Sequence, residues 1–138
     1  MAAKDKFHNV VKIAIEKDGW TITDDPLFIR AEDVDFYIDL GDEKVLAAEK
    51  AGQKIAVEIK SFLGASEVNE FHSALGQFLN YRSALRLTQP ERVLYLAVAI
   101  DIYEEFFNRR FIQRVIAEHQ LRFLIFNVER EEIVLWRN

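Results

Sequence analysis

Cysteine is absent from this chain. That excludes disulfides, thiolate catalysis and every cysteine-ligated zinc or iron–sulfur site, and it makes a reducing cytoplasm the expected compartment. No apolar run approaches membrane-spanning length. The polar stretch from Met1 to Lys6 lacks the apolar centre of a secretory signal, so no membrane partner is expected. Internal repeats, low-complexity tracts and linkers are missing too. Basic charge is in short supply: 18 Lys and Arg against 23 Asp and Glu leave a net charge of −5. Phosphate contacts need a basic surface. The charge therefore argues mildly against a free-standing, tight nucleic-acid binder: nucleic acid would be held weakly by the chain alone unless a local basic patch or a partner supplied the missing cations.

What is present points to a folded domain. Half of the 138 residues are hydrophobic and 11 are Phe, enough for one domain over 1–138 with a sizeable core. The most informative stretch is Lys54 to Phe62. Ile55, Val57 and Ile59 alternate with Ala56, Glu58 and Lys60, the period of a strand. One face is β-branched. The other presents a carboxylate and an ammonium side by side. Charges on a buried type of strand persist when they are paired, bound to a metal or used in chemistry; the plain alternative is a local ion pair at a strand end.

The remaining elements follow in order. Asp5 to Asp18 has helical period, with Phe7, Val10, Val11, Ala14 and Ile15 as its apolar stripe and Gly19 as its stop. His8, Lys12 and Glu16 share its other side, most simply as a solvated face with an i, i+4 pair. Trp20–Thr23 and Leu27–Arg30 look extended around the turn Asp24-Asp25-Pro26. Ala31 to Val34 reads as a loop, Asp35 to Leu40 as a strand, Gly41-Asp42 as a tight turn and Val45 to Glu49 as the returning strand. With Gly52 in the left-handed position of a three-residue loop, Glu49 pairs with Gln53 and Lys44 with Glu58. Asp39, Lys44 and Glu58 then form one row, the outer two roughly 9.5 Å apart at Cα, and Glu49 lies on the opposite face. A two-residue loop at Ala51-Gly52 reverses that, but it requires a positive φ at Ala51 and is disfavoured.

Ser66 is a good N-cap for a helix reaching about Arg86. Val68, Phe71, Leu75, Phe78, Arg82 and Leu85 form its apolar stripe, and Gly76 leaves room for close approach to a sheet. Glu70, Ser73, Gln77 and Tyr81 make a second, polar stripe, where Gln77 lies near the charged end of the central strand. Thr88-Gln89-Pro90 ends the helix. Val93 to Ile100 is almost continuously apolar, a strand buried on both faces. Tyr103 to His119 is helical with Phe106, Phe107, Phe111, Val115 and Ile116 inward, and Arg109, Arg110 and Arg114 make it the most basic stretch. Leu121–Val128 and Ile133–Trp136 are strands around a turn at Glu129–Glu132. This order predicts an α/β fold with a mixed β-sheet flanked by helices, since strand–helix–strand crossovers demand parallel pairing.

Helix, three-stranded meander, helix and strand resemble the core of the PD-(D/E)XK nucleases, of restriction-endonuclease type, and Asp39 followed 19 residues later by Glu58-Ile59-Lys60 fits their signature. A closer match covers most of the chain. Lys4-Asp5-Lys6-Phe7-His8, Lys17-Asp18-Gly19-Trp20, Asp39-Leu40-Gly41, Ile55 to Phe62, Ala74-Leu75-Gly76-Gln77 and Leu94-Tyr95-Leu96-Ala97-Val98 resemble the XisH-like family, the fdxN-element excision controlling factors found mainly in cyanobacteria. The resemblance implies a nuclease-like fold, a role in programmed excision of a DNA element and a small companion excision factor as partner. On the nuclease reading, Asp39 and Glu58 would bind Mg²⁺ or Mn²⁺ with the Ile59 carbonyl as a further ligand. Lys60 would position or deprotonate water, or neutralise developing charge. Gln77 would orient Lys60 or a phosphate, and His8 and Glu16 would stand further out. The rival reading is a non-catalytic regulatory subunit acting through its partner; a third is a structural ion pair in an ordinary α/β domain. A homo-oligomer is left open.

Overall fold

A computed structural model of the chain describes residues 3–36 and 45–138, with side chains described from Lys6 onward. The first helix, α1 (Ala3–Lys17), buries Val10, Val11, Ala14 and Ile15, and Gly19 stops it at φ +93°. Strand β1 (Thr21–Asp24) is followed by a hairpin of β2 (Ile29–Ala31) and β3 (Val34–Phe36). Then come β4 (Val45–Lys50), β5 (Gln53–Ile59), α2 (Glu67–Thr88) and β6 (Arg92–Ala99). A short α3 (Ile100–Ile102) widens into a π-helical turn at Tyr103–Phe107 before α4 (Arg110–His119), β7 (Phe123–Asn127) and β8 (Glu132–Arg137). Among the described residues no helix is long and apolar enough to cross a membrane.

The main sheet has six strands in the order β1-β4-β5-β6-β7-β8. The β5–β6 and β6–β7 pairs are parallel and the others antiparallel, so the expected mixed sheet is present. Its parallel pairs are joined by helices α2 and α3–α4, which pack on one face against Ala47, Ala56, Leu94, Leu96 and Val98. Helix α1 covers the other face, over Leu46, Ala48, Ile55, Val57 and Ile59.

The turn between β4 and β5 departs from the expectation. It has two residues, Ala51 at φ 50° and Gly52 at φ 83°, so Lys50 pairs with Gln53, Glu49 with Lys54 and Val45 with Glu58. A turn with two left-handed residues matches the right-handed twist of its strands. It also sets Leu46 beside Val57 on the α1 face, and a slip of one residue would turn Leu46 to the other face. These gains outweigh the roughly 1–2 kcal/mol cost of a left-handed alanine.

The third strand beside β5 also differs. Val34–Phe36 pairs with β2, and the outer edge of β4 is taken by β1 and by the Leu27 amide, which donates to the Val45 carbonyl at 2.7 Å. Asp39, Gly41, Asp42 and Lys44 lie outside the described residues, and Glu58 stands between Val45 of β4 and Leu96 of β6.

Helix α2 starts as read, with Ser66 accepting from the Asn69 amide, but its buried face is rotated. Ala74, Tyr81 and Ala84 join Phe71, Phe78 and Leu85 inside, while Val68 is 47% exposed. Gly76 faces open space, since a Cβ there would meet nothing within 4 Å; Ala74 and Ala84 are the small residues on the buried side. The expected single helix from Tyr103 to His119 is broken by the π-turn and by Arg109 in extended conformation. The break resets the helical phase, so Ile112 and Ile116 point inward and Phe111 outward, 69% exposed.

Candidate functional site

Glu58 owes its position to strand alternation. Ile55, Val57 and Ile59 pack beneath α1, so Ala56 and Glu58 face α2. Glu58 is fully buried, and among the described residues neither carboxylate oxygen has a hydrogen-bond partner. Burial pushes its carboxyl well above the usual carboxylate range, because the charged form loses its hydration. An unpaired buried carboxylate is costly, and such groups concentrate where a ligand or a reaction uses them. Lys60 continues the β5 ladder by donating its amide to Ala97 O at 3.1 Å, and it is 4% exposed. Because successive peptide groups point to alternate sides of a strand, the Ile59 carbonyl is directed toward the β4 side, past Val45.

Two α2 residues complete the surroundings. Tyr81 is buried, and its hydroxyl is pushed up to about 12, first by burial and then by the charge of nearby Glu58. Gln77 stands one turn earlier on the same side, and its Oε1 is buried without a partner among the described residues. Phe36 of β3 meets the Tyr81 ring edge-on at 5.9 Å between centroids. Sequence reasoning put Tyr81 in the polar stripe and missed it. The signal was the run Ala74, Phe78, Tyr81, Leu85, which has helical spacing and small residues where α2 nears the sheet.

The loop after Lys60 is fixed by Phe62, also missed. Phe62 has φ 55°, a strained conformation for a bulky side chain. Its ring is buried against Phe106 and Phe107, at 6.1 and 5.2 Å between centroids. Nothing in a one-dimensional pattern signals a left-handed phenylalanine.

The other candidates stand elsewhere. Glu49 shares the Glu58 face in the observed register, yet it pairs with Lys54, four residues before Glu58, about 13 Å along the strand; its carboxylate lies 3.8 Å from the Lys54 ammonium. His8 and Glu16 belong to α1, which covers the opposite face of the sheet. The His8 ring lies 2.9 Å from Asp25, as does the Lys12 ammonium. Burial works to raise the Asp25 carboxyl, but hydrogen bonds from Lys12 and His8 outweigh it and hold the group below its ordinary value. Among the described residues no cluster of three His, Asp or Glu side chains stands ready for a metal ion. A cavity of about 710 Å³, lined by Trp20, Lys50, Tyr95 and Trp136, lies at the far end of β5, beside the Ala51-Gly52 turn.

Comparison with known proteins agrees with this fold. The family model described as XisH protein matches residues 1–134. A crystal structure of an XisH family protein from Nostoc punctiforme PCC 73102 superposes with a TM-score of 0.91 at 56% identity, over 97% of this chain and 100% of that one. The structure of an fdxN element excision controlling factor protein from Anabaena variabilis gives 0.90 at 52% identity, over 97% of this chain and 99% of that one. No curated protein matches. With a family model spanning nearly its whole length and two such solved structures alongside, this chain belongs to the XisH family.

Proposed function

We propose that this chain is a DNA-element excision controlling factor, as its Anabaena variabilis relative is named, and that Glu58 and Lys60 belong to a PD-(D/E)XK-type site for metal-dependent hydrolysis of a DNA phosphodiester. One observation carries the proposal: Glu58 is fully buried with neither carboxylate oxygen hydrogen-bonded among the described residues, two residues before a lysine that is itself buried.

The donor chemistry fits a hard divalent cation, Mg²⁺ or Mn²⁺, which takes oxygen ligands. Glu58 would hold it, the Ile59 carbonyl on the β4 side would add a second oxygen, and Asp39 is proposed as the second carboxylate. Such an ion, when bound, would acidify a water and draw charge from the phosphate. Lys60 would hold a non-bridging phosphate oxygen or the attacking water by donating from its ammonium. The Gln77 amide, with a buried acceptor to satisfy, would orient that ammonium. Tyr81, kept protonated well past neutral pH by burial and by Glu58, would exclude bulk water from the inner side of the carboxylate.

The acidic balance of the chain, a net charge of −5, favours a second reading: a regulatory subunit that keeps this architecture and works through a companion excision factor. Calorimetry separates the two. Mn²⁺ is expected to bind the wild type, more tightly with DNA present, and to be lost in Glu58→Gln with the fold intact. Equal Mn²⁺ affinity in both proteins would rule the site out.

A further inference from the structure

Phe111 is 69% exposed, although the buried side of its helix is already filled by Ile112 and Ile116. Arg110 and Arg114 stand beside it, one turn apart on one side of α4 and both exposed. Among the described residues neither arginine forms an ion pair, even though Glu104 and Glu105 are exposed in the preceding turn. Arg109 is anchored next to them, 5.4 Å from the centre of the Phe106 ring and 3.9 Å from the Glu67 carboxylate.

Those anchors locate the patch. Glu67 opens α2 directly after the loop that leaves Lys60, and Phe106 packs on Phe62 within that loop. The arginines and Phe111 therefore lie toward the carboxyl ends of the parallel strands, the end that carries Glu58 and Lys60. Ligands of open α/β sheets bind at that end.

Unpaired guanidinium groups suit phosphates, and a bare aromatic ring suits the face of an unstacked base. A continuous duplex presents phosphates but hides its base faces. We propose that Arg110, Phe111 and Arg114 hold a DNA strand with unpaired bases and lead it toward Glu58 and Lys60, with Arg109 as the anchored edge of the patch. This deepens the reading of the preceding subsection and rests on it for the identity of the nucleic acid.

The test is fluorescence anisotropy with a labelled single-stranded oligonucleotide and its duplex. It is run in EDTA, where no hydrolysis competes, and between about 50 and 200 mM salt. The wild type is expected to prefer the single strand. Arg110→Ala/Arg114→Ala should reduce the slope of log affinity against log salt by about 1.4, at roughly 0.7 per lost phosphate contact. Phe111→Ala should weaken single-strand binding roughly tenfold and leave the slope unchanged. Both sites are exposed, so unchanged melting transitions are the folding control. The proposal is overturned if the wild type binds no DNA or prefers duplex, or if the variants bind like wild type. It is equally overturned if Phe111→Ala abolishes association with a protein partner at constant DNA affinity, which would make the patch a protein contact shared with exposed Leu63 and Val68. Glu58-dependent hydrolysis with DNA affinity untouched by the α4 substitutions removes this surface and leaves the site standing. Binding that depends on α4 without Glu58-dependent hydrolysis supports the surface and removes the site.

Discussion

Replacing Glu58 by glutamine is expected to stabilise the metal-free protein at neutral and alkaline pH. Burial raises the folded-state pKa of Glu58 well above its ordinary value, and in the unfolded chain it titrates at about 4.3. Below that pH both states hold the proton and Glu58 adds no pH dependence. Above it the unfolded chain releases the proton while the folded chain keeps it, so stability falls with rising pH until the folded pKa is reached. Glutamine has nearly the same shape and no charge to bury, though its amide inherits the lack of partners. An unsatisfied buried polar group costs about 1–3 kcal/mol, more when charged, so the swap should gain roughly 1–2 kcal/mol at pH 8. For a chain of this size that corresponds to about 3–8 °C in Tm. Thermal melts in EDTA at pH 4 and pH 8 read the effect: the two proteins should melt together at the lower pH and apart at the higher. A Glu58→Gln protein that melts below wild type at pH 8, or one offset by a constant amount at every pH, would refute the reasoning.

Three further outcomes follow from the same geometry. Mn²⁺ at about a hundred times its Kd should stabilise the wild type by about 2.7 kcal/mol and leave Glu58→Gln unmoved, read as a thermal shift. Ala51→Asn should stabilise by roughly 0.5–1 kcal/mol in chemical denaturation, because Asn-Gly suits two successive left-handed residues better than Ala-Gly; a loss would contradict the turn. Asp25→Asn should cost about 0.5–1 kcal/mol at pH 7. The folded pKa of Asp25 is depressed, so that contribution is present above its unfolded value and should vanish as pH falls through the folded one, seen in denaturation curves across the acid range.

The face of β5 that carries Glu58 was legible because strand alternation is a property of the local chain. The mixed sheet was legible from the alternation of apolar strands with helices. Register was not: it turned on a positive φ at Ala51, which intrinsic preference opposes and the packing of Leu46 against Val57 favours. The partner of β3 was not legible either, since a short strand after a turn can pair backward with Ile29–Ala31 or forward with β4, and only tertiary packing decides. Phe111 read as core because unbroken helical periodicity was assumed across a π-turn. Tyr81 read as polar surface because a tyrosine in a stripe with Glu70, Ser73 and Gln77 carries no mark of the carboxylate it faces.

The most direct test of the proposed site is a DNA cleavage assay with Mg²⁺ or Mn²⁺, run on the protein alone and with the proposed companion excision factor, beside Lys60→Ala and Glu58→Gln. With a net charge of −5 the protein alone is expected to cleave poorly. Cleavage should appear with the partner present and be lost in both variants. No cleavage in either condition, while a stable complex with the partner forms, would contradict a hydrolytic role for Glu58 and Lys60 and leave the chain a regulatory subunit.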